Sequence, residues 1–151
     1  MPTNRPMKTA RQLALLVDTN VVLDVILARE PWAADAVRLL DMIERGGARG
    51  FVAAHAVTTV HYVVAKATDR TTANTAVADL LEVLTVVETG AAEFHRALAM
   101  GLGDFEDAVQ AAACLTAGAD YLVTRNAKDF KGAPVSTRTP GEVLALLSNW
   151  A

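Results

Sequence analysis

The sequence predicts an α/β fold with a central parallel sheet flanked by helices on both sides, and three observations carry that expectation. Leu13-Ala14-Leu15-Leu16-Val17 is an apolar run of strand length, and a strand buried on both faces of a parallel sheet reads this way. It stops abruptly on Asp18-Thr19-Asn20. Downstream, short strand-like segments alternate with longer segments of helical spacing and no hairpin signal joins them, as expected of strands linked through crossover helices.

After the first strand, a helix runs through Leu27 until the Glu30-Pro31 step breaks it. Ala33, Val37, Leu40 and Ile43 recur at helical spacing, and Gly46-Gly47 stops that helix. Phe51 to Ala53 is a second strand, followed by a helical face of Val57, Val60, Val63 and Val64. Thr72 to Leu84 is a further helix leading into Thr85-Val86-Val87-Glu88. Ala91 to Met100 and Asp104 to Ala117 are helical, and Gly118 ends the latter before the strand Tyr121-Leu122-Val123-Thr124. Thr139-Pro140-Gly141-Glu142 is a capping box with proline at the first helical position, opening a last helix through Val143, Leu146 and Leu147.

A chain of 151 residues is long enough to bury a core without disulfides or structural metal. Residues 1–12 read as a flexible lead-in and 13–151 as a single domain. The lone Cys114 excludes an intramolecular disulfide and, set among alanines, reads as a core residue. The apolar run before Asp18 is too short for a secretory signal, and none approaches a membrane span. These features predict a cytoplasmic protein without membrane contact. The apolar content of 52% predicts surface that meets a partner, either a second copy in a homodimer or another protein. The formal charge of −3 does not announce nucleic acid, and Arg125, Lys128 and Lys131 form the nearest thing to a late basic patch.

Ligand sites in open α/β sheets form just beyond the carboxyl ends of the strands, which is where Asp18 falls. Asp18 and Asn20 also suit the N-cap of the helix that follows. A second acidic group lies far along the chain, in Gly103-Asp104-Phe105-Glu106-Asp107-Ala108. Asp104 and Asp107 are spaced i,i+3 at a helix start, so both fall on one face, where the helix dipole favours negative charge and acids are also common as solvated caps. Ala108, Ala111 and Ala112 keep this helix slim, which brings its acidic end toward the strand ends. Two carboxylates about 4 Å apart repel by roughly 1–4 kcal/mol, which a shared cation resolves. An all-oxygen set without Cys or clustered His suits Mg²⁺ or Mn²⁺ rather than zinc. A hard cation held by aspartates at strand ends points to hydrolysis of a phosphate ester.

Taken in order, Asp18-Thr19-Asn20 after the first strand, Asp107-Ala108-Val109-Gln110-Ala111-Ala112 on a late helix, and Tyr121-Leu122-Val123-Thr124-Arg125-Asn126-Ala127-Lys128-Asp129-Phe130 resemble the PIN-domain ribonucleases. VapC-like toxins are the most similar members. The resemblance covers Leu13 to about Ala145. It implies a PIN-like fold, a Mg²⁺ or Mn²⁺ site, cleavage of RNA, and the toxin role in a type II toxin–antitoxin pair with an antitoxin protein as partner. Carried over by position, Asp18 and Asp107 are metal ligands and Asp104 an extra acid. Asn20 orients ligands or water, and Thr124 and Asn126 occupy the last polar motif.

The sequence departs from the family in two places. Asn126 stands where many members have Asp. The glutamate expected on the helix after the second strand maps to Thr59, leaving Asp104 and Glu106 as the acids available to compensate. A catalytically impaired PIN-like module that binds RNA or protein is therefore the alternative function. A haloacid-dehalogenase-type phosphatase also places an Asp after its first strand, but needs a second Asp where Asn20 stands. The lone histidines read first as core or surface groups, with His61 the stronger candidate to approach the site and His55 and His95 the weaker. Asp24 reads as a surface or helix-pair acid, Trp32 and Trp150 as packing or interface residues, and Asp129 as either a turn cap or a neighbour of the metal.

Overall fold

The computed structural model describes residues 12–148. Most of the expected lead-in and Trp150 lie outside the described residues. Five strands, β1 (Ala14–Val17), β2 (Arg49–Ala53), β3 (Thr85–Val87), β4 (Tyr121–Val123) and β5 (Thr137–Arg138), form one sheet in the order β3-β2-β1-β4-β5. Every pairing is parallel. Seven helices are described: α1 (Thr19–Ile26), α2 (Ala33–Glu44), α3 (Ala54–Ala67), α4 (Arg70–Val83), α5 (Ala91–Ala99), α6 (Phe105–Ala117) and α7 (Pro140–Ser148).

The central strand is the most apolar one. All four residues of β1 are buried, because it pairs with β2 on one side and β4 on the other while helices cover both faces. Helices α1 to α4 pack against one another, and α6 lies under β1 and β2 with α5 beside it. The close approach of α6 follows from its sequence: Ala108, Ala111, Ala112, Ala113 and Cys114 are all buried. Burial pushes the Cys114 thiol up to about 12, as suits a packed residue rather than a nucleophile. At Gly50 a Cβ would stand 2.5 Å from Leu84 Cδ2 and 2.8 Å from Ile43 Cγ2, so only glycine lets β2 approach these neighbours.

Local signals read from the sequence reappear as hydrogen bonds. Thr139 N donates to Glu142 Oε1 (2.8 Å) and Glu142 N to Thr139 Oγ1 (3.1 Å), completing the capping box of α7. Gly118 closes α6 at φ 65°, a left-handed conformation that glycine adopts without strain. Helix α4 begins two residues earlier than its apolar pattern implies, because Asp69 accepts from Thr72 N (2.7 Å) as its cap. The two-residue β5 was not anticipated.

Strand order creates a switch point. From β1 the chain moves outward to β2 and β3, then returns to place β4 on the other side of β1. Adjacent parallel strands whose onward connections diverge leave a crevice at their carboxyl ends, where open α/β sheets bind ligands. The residues that leave β1 and β4 at that crevice are Asp18 and Thr124.

Candidate functional site

Asp18 is the N-cap of α1, held at the end of β1 by its own N–H, which donates to Val123 O (2.9 Å). Its side chain closes the crevice from the other direction: Thr124 Oγ1 donates to Asp18 Oδ2 (2.9 Å). Thr124 is fully buried and its Oγ1 also accepts from Asn126 N (3.0 Å). One hydroxyl thus fixes the Asp18 carboxylate and the start of the turn that carries Asn126.

The second acidic group arrives on α6. Gln110 Nε2 donates to Thr19 Oγ1 (2.7 Å) in the buried interior, so the helix carrying Asp107 is tied to the residue next to Asp18. Asp104 caps α6, with its Oδ1 accepting from Asp107 N (3.0 Å). Oxygen atoms of Asp104, Glu106 and Asp107 lie within 4.8 Å of one another.

These carboxylates are poorly compensated. Burial pushes Asp18 from 3.8 up to about 6, with the Glu106 charge adding to it and the Thr124 hydrogen bond opposing it. Asp107 is raised to about 7, first by burial and then by the charges of Asp104, Glu106, Asp18 and Asp129. The structure therefore groups Asp104, Glu106 and Asp107, with Asp18, bonded to Thr124, and Asp129 close enough to act on Asp107 electrostatically. A donor set of carboxylates in mutual repulsion, all oxygen, fits a hard divalent cation.

Asn20 joins a different group. Its Oδ1 accepts from Arg29 Nη1 (3.4 Å), and Arg29 also lies 3.9 Å from Asp24 Oδ1. Asp24 is not a surface acid: it is 1% exposed, and Arg125 grips it with Nε (2.7 Å) and Nη2 (3.2 Å). Arg125 also stacks 3.7 Å from the centre of the Trp32 ring. The Arg125 guanidinium of the late basic patch is thus committed to a buried partner, whereas Lys128 and Lys131 remain exposed.

The two histidines exchange their expected places. His61 Nε2 pairs with Asn74 Oδ1 (2.7 Å), linking α3 to α4. His55 Nε2 lies 3.0 Å from Glu106 Oε2 and reaches the site through it. Thr59, at the position of the expected glutamate, donates its hydroxyl back to His55 O (3.3 Å).

The solved structures of similar fold include the DNA-bound VapBC of Salmonella typhimurium, at 15% identity and TM-score 0.67, covering 85% of this chain and 99% of that one. VapBC2 of Rickettsia felis bound to a DNA fragment from their promoter matches at 16% identity and TM-score 0.66, covering 84% and 98%. Mycobacterium tuberculosis VapC20, a sarcin-ricin loop cleaving toxin, matches at 18% identity and TM-score 0.58, covering 72% and 86%. No curated protein matches the sequence. The PIN domain family model matches residues 14–128, from the first residue of β1 through the turn after β4, and the chain therefore belongs to the PIN domain family.

Proposed function

We propose that this protein is a metal-dependent endoribonuclease that hydrolyses RNA phosphodiester bonds and acts as the toxin of a type II toxin–antitoxin pair. The observation that carries the reading is the acidic group at the head of α6, whose Asp107 feels the charge of Asp18 at the switch-point crevice. Asp18, Asp107 and Asp104 would hold Mg²⁺ or Mn²⁺. When bound, the ion supplies a water of lowered pKa and positive charge against the developing phosphorane. Thr124 acts through Asp18 rather than on substrate, because it is fully buried. Asn126 brings a polar group without charge to the rim, where it can orient water or a phosphate oxygen. Exposed Lys128 and Lys131 on the same turn suit contacts to the RNA backbone. Asn20, held by Arg29, contributes by fixing the first turn of α1.

The toxin role is supported by membership of the family and by the fold shared with VapC20 and the VapBC assemblies. An apolar groove of about 670 Å³ between α1, α2 and α4, lined by Val22, Ile26, Leu40 and Leu80 and edged by Asp41, Glu44 and Asp79, suits an amphipathic antitoxin segment with basic flanks. Exposed Phe94, Leu98 and Phe105 offer an apolar face for a second copy in a homodimer. No helix among the described residues is long and apolar enough to cross a membrane.

The test is cleavage of a mixed RNA pool by purified protein with Mg²⁺, with Mn²⁺ and with EDTA, using Asp18→Asn and Asp107→Asn as controls. The expected result is cleavage that needs a metal and both aspartates. A non-catalytic RNA-binding module is favoured by one observation, the spending of the Thr59 hydroxyl on the α3 backbone where the family places an acid. It predicts RNA binding without cleavage that survives Asp18→Asn.

A further inference from the structure

We propose that His55 is a positioning residue that holds Glu106 in the cation site, so that α3 serves the site through a glutamate borrowed from α6 instead of an acid of its own. The inference rests on the reading of the acidic cluster as a divalent-cation site.

His55 is the second residue of α3, just beyond the end of β2, and so stands on the element from which the expected family acid is missing. Its Nε2 lies 3.0 Å from Glu106 Oε2 across a sequence separation of 51 residues. A carboxylate only accepts, so Nε2 carries the hydrogen and donates it. The other ring nitrogen, Nδ1, is buried without a partner among the described residues. Buried polar atoms are seldom left so, and here the ring's orientation follows the glutamate rather than the needs of both its nitrogens.

Glu106 needs such a hold. Its side chain is 46% exposed, and it shares the first turn of α6 with Asp104 and Asp107, whose oxygens lie within 4.8 Å of its own. Repulsion from two carboxylates and the entropy of a long side chain both favour swinging outward into water. The His55 N–H takes up Oε2 and leaves Oε1 for a shared ion. The backbone beneath His55 is braced in turn, since Thr58 Oγ1 (2.8 Å) and Thr59 Oγ1 (3.3 Å) both donate to His55 O. Thr59 thus supports the histidine from the very position where an acid was expected. A histidine or carboxylate that orients a metal ligand typically changes metal affinity about 10–100-fold when removed.

The experiment is Mn²⁺ titration of the full chain by calorimetry, with Mn²⁺ electron paramagnetic resonance as a second readout, for wild type, His55→Ala, His55→Gln, Glu106→Gln and the double variant His55→Ala/Glu106→Gln. His55→Ala is expected to weaken Mn²⁺ binding about tenfold. His55→Gln, whose amide can donate to the same oxygen, recovers most of the loss. Glu106→Gln loses at least as much as His55→Ala, and the double variant binds no more weakly than Glu106→Gln alone. Unchanged or tighter binding in His55→Ala, or losses that multiply in the double variant, would overturn the proposal. If wild type binds Mn²⁺ and Asp18→Asn abolishes it while His55→Ala does not, only the role of His55 fails. If folded wild type binds no Mn²⁺ at all, the cation-site reading fails with it.

Discussion

Helix α1 carries two buried carboxylates, Asp18 at its N-cap and Asp24 within its last turn, and the fold treats them in opposite ways. Asp24 meets Arg125 through two hydrogen bonds and Arg29 through a longer contact, so its charge is neutralised inside the protein. Asp18 is 5% exposed and meets a hydroxyl, the like charge of Glu106, and Arg125 only as the weakest influence on it. A fold that can deliver a bidentate arginine to one end of a helix leaves the other end short of a cation. The difference separates a carboxylate used to hold loops together from carboxylates that the proposed cation would neutralise.

Breaking the neutralised carboxylate has the largest expected effect on the metal-free protein. Asp24→Ala strands Arg125 against Trp32 and loosens Arg29 from Asn20; loss of one partner from such a buried pair costs about 3 kcal/mol. Urea denaturation checks this, and a loss below about 1 kcal/mol would mean that the arginines rehydrate freely. A divalent ion at about one hundred times its dissociation constant should stabilise the wild type by about 2.7 kcal/mol. That gain, read as a rise in Tm, should fall by about half or more in both Asp18→Asn and Asp107→Asn.

The un-neutralised carboxylates give a pH dependence of definite sign. Below about pH 3.8 Asp18 and Asp107 are protonated in both states and contribute nothing. Between there and about 6 for Asp18, or about 7 for Asp107, the unfolded chain has lost protons that the fold still holds. The contribution of both groups to metal-free stability therefore falls as pH rises through that window. Asp18→Asn removes its share of the penalty, so at about pH 8 this variant should be more stable than wild type without metal, by about 2–3 kcal/mol. Thermal melts of both proteins across the window test this; a wild type that gains stability relative to the variant as pH rises would have the sign wrong. The smallest effect is expected at the rim. Asn126→Asp adds a charge on the turn bonded to Thr124 and should tighten Mn²⁺ binding by about 2–5-fold, at a cost within ~0.5 kcal/mol of metal-free stability.

The same two regions differ in how much of them could be read from the chain alone. Asp18, Asp104 and Asp107 are legible because each occupies a local landmark, the end of an apolar run or the first turn of a helix. Alternation of strand and helix likewise foretells the parallel sheet, and the Thr139–Glu142 box and Gly118 mark helix ends through purely local hydrogen bonds. Asp24 and Arg125 are 101 residues apart, and only the return of β4 to the side of β1 brings them together. Likewise, His55 reaches Glu106 because α6 packs against β2, which no spacing within α3 announces. β5, at two residues, has too little pattern of its own and is defined by its pairing with β4.

The most direct measurement is calorimetric titration of Mn²⁺ into metal-free wild type and Asp18→Asn at about pH 8 and again at about pH 5. Wild type should bind the ion at the higher pH, bind it more weakly at the lower pH as Asp18 and Asp107 hold their protons, and lose at least about tenfold in affinity on Asp18→Asn. Equal affinity in the two proteins, or no binding to folded wild type at either pH, would contradict the assignment of the switch-point carboxylates to a divalent cation.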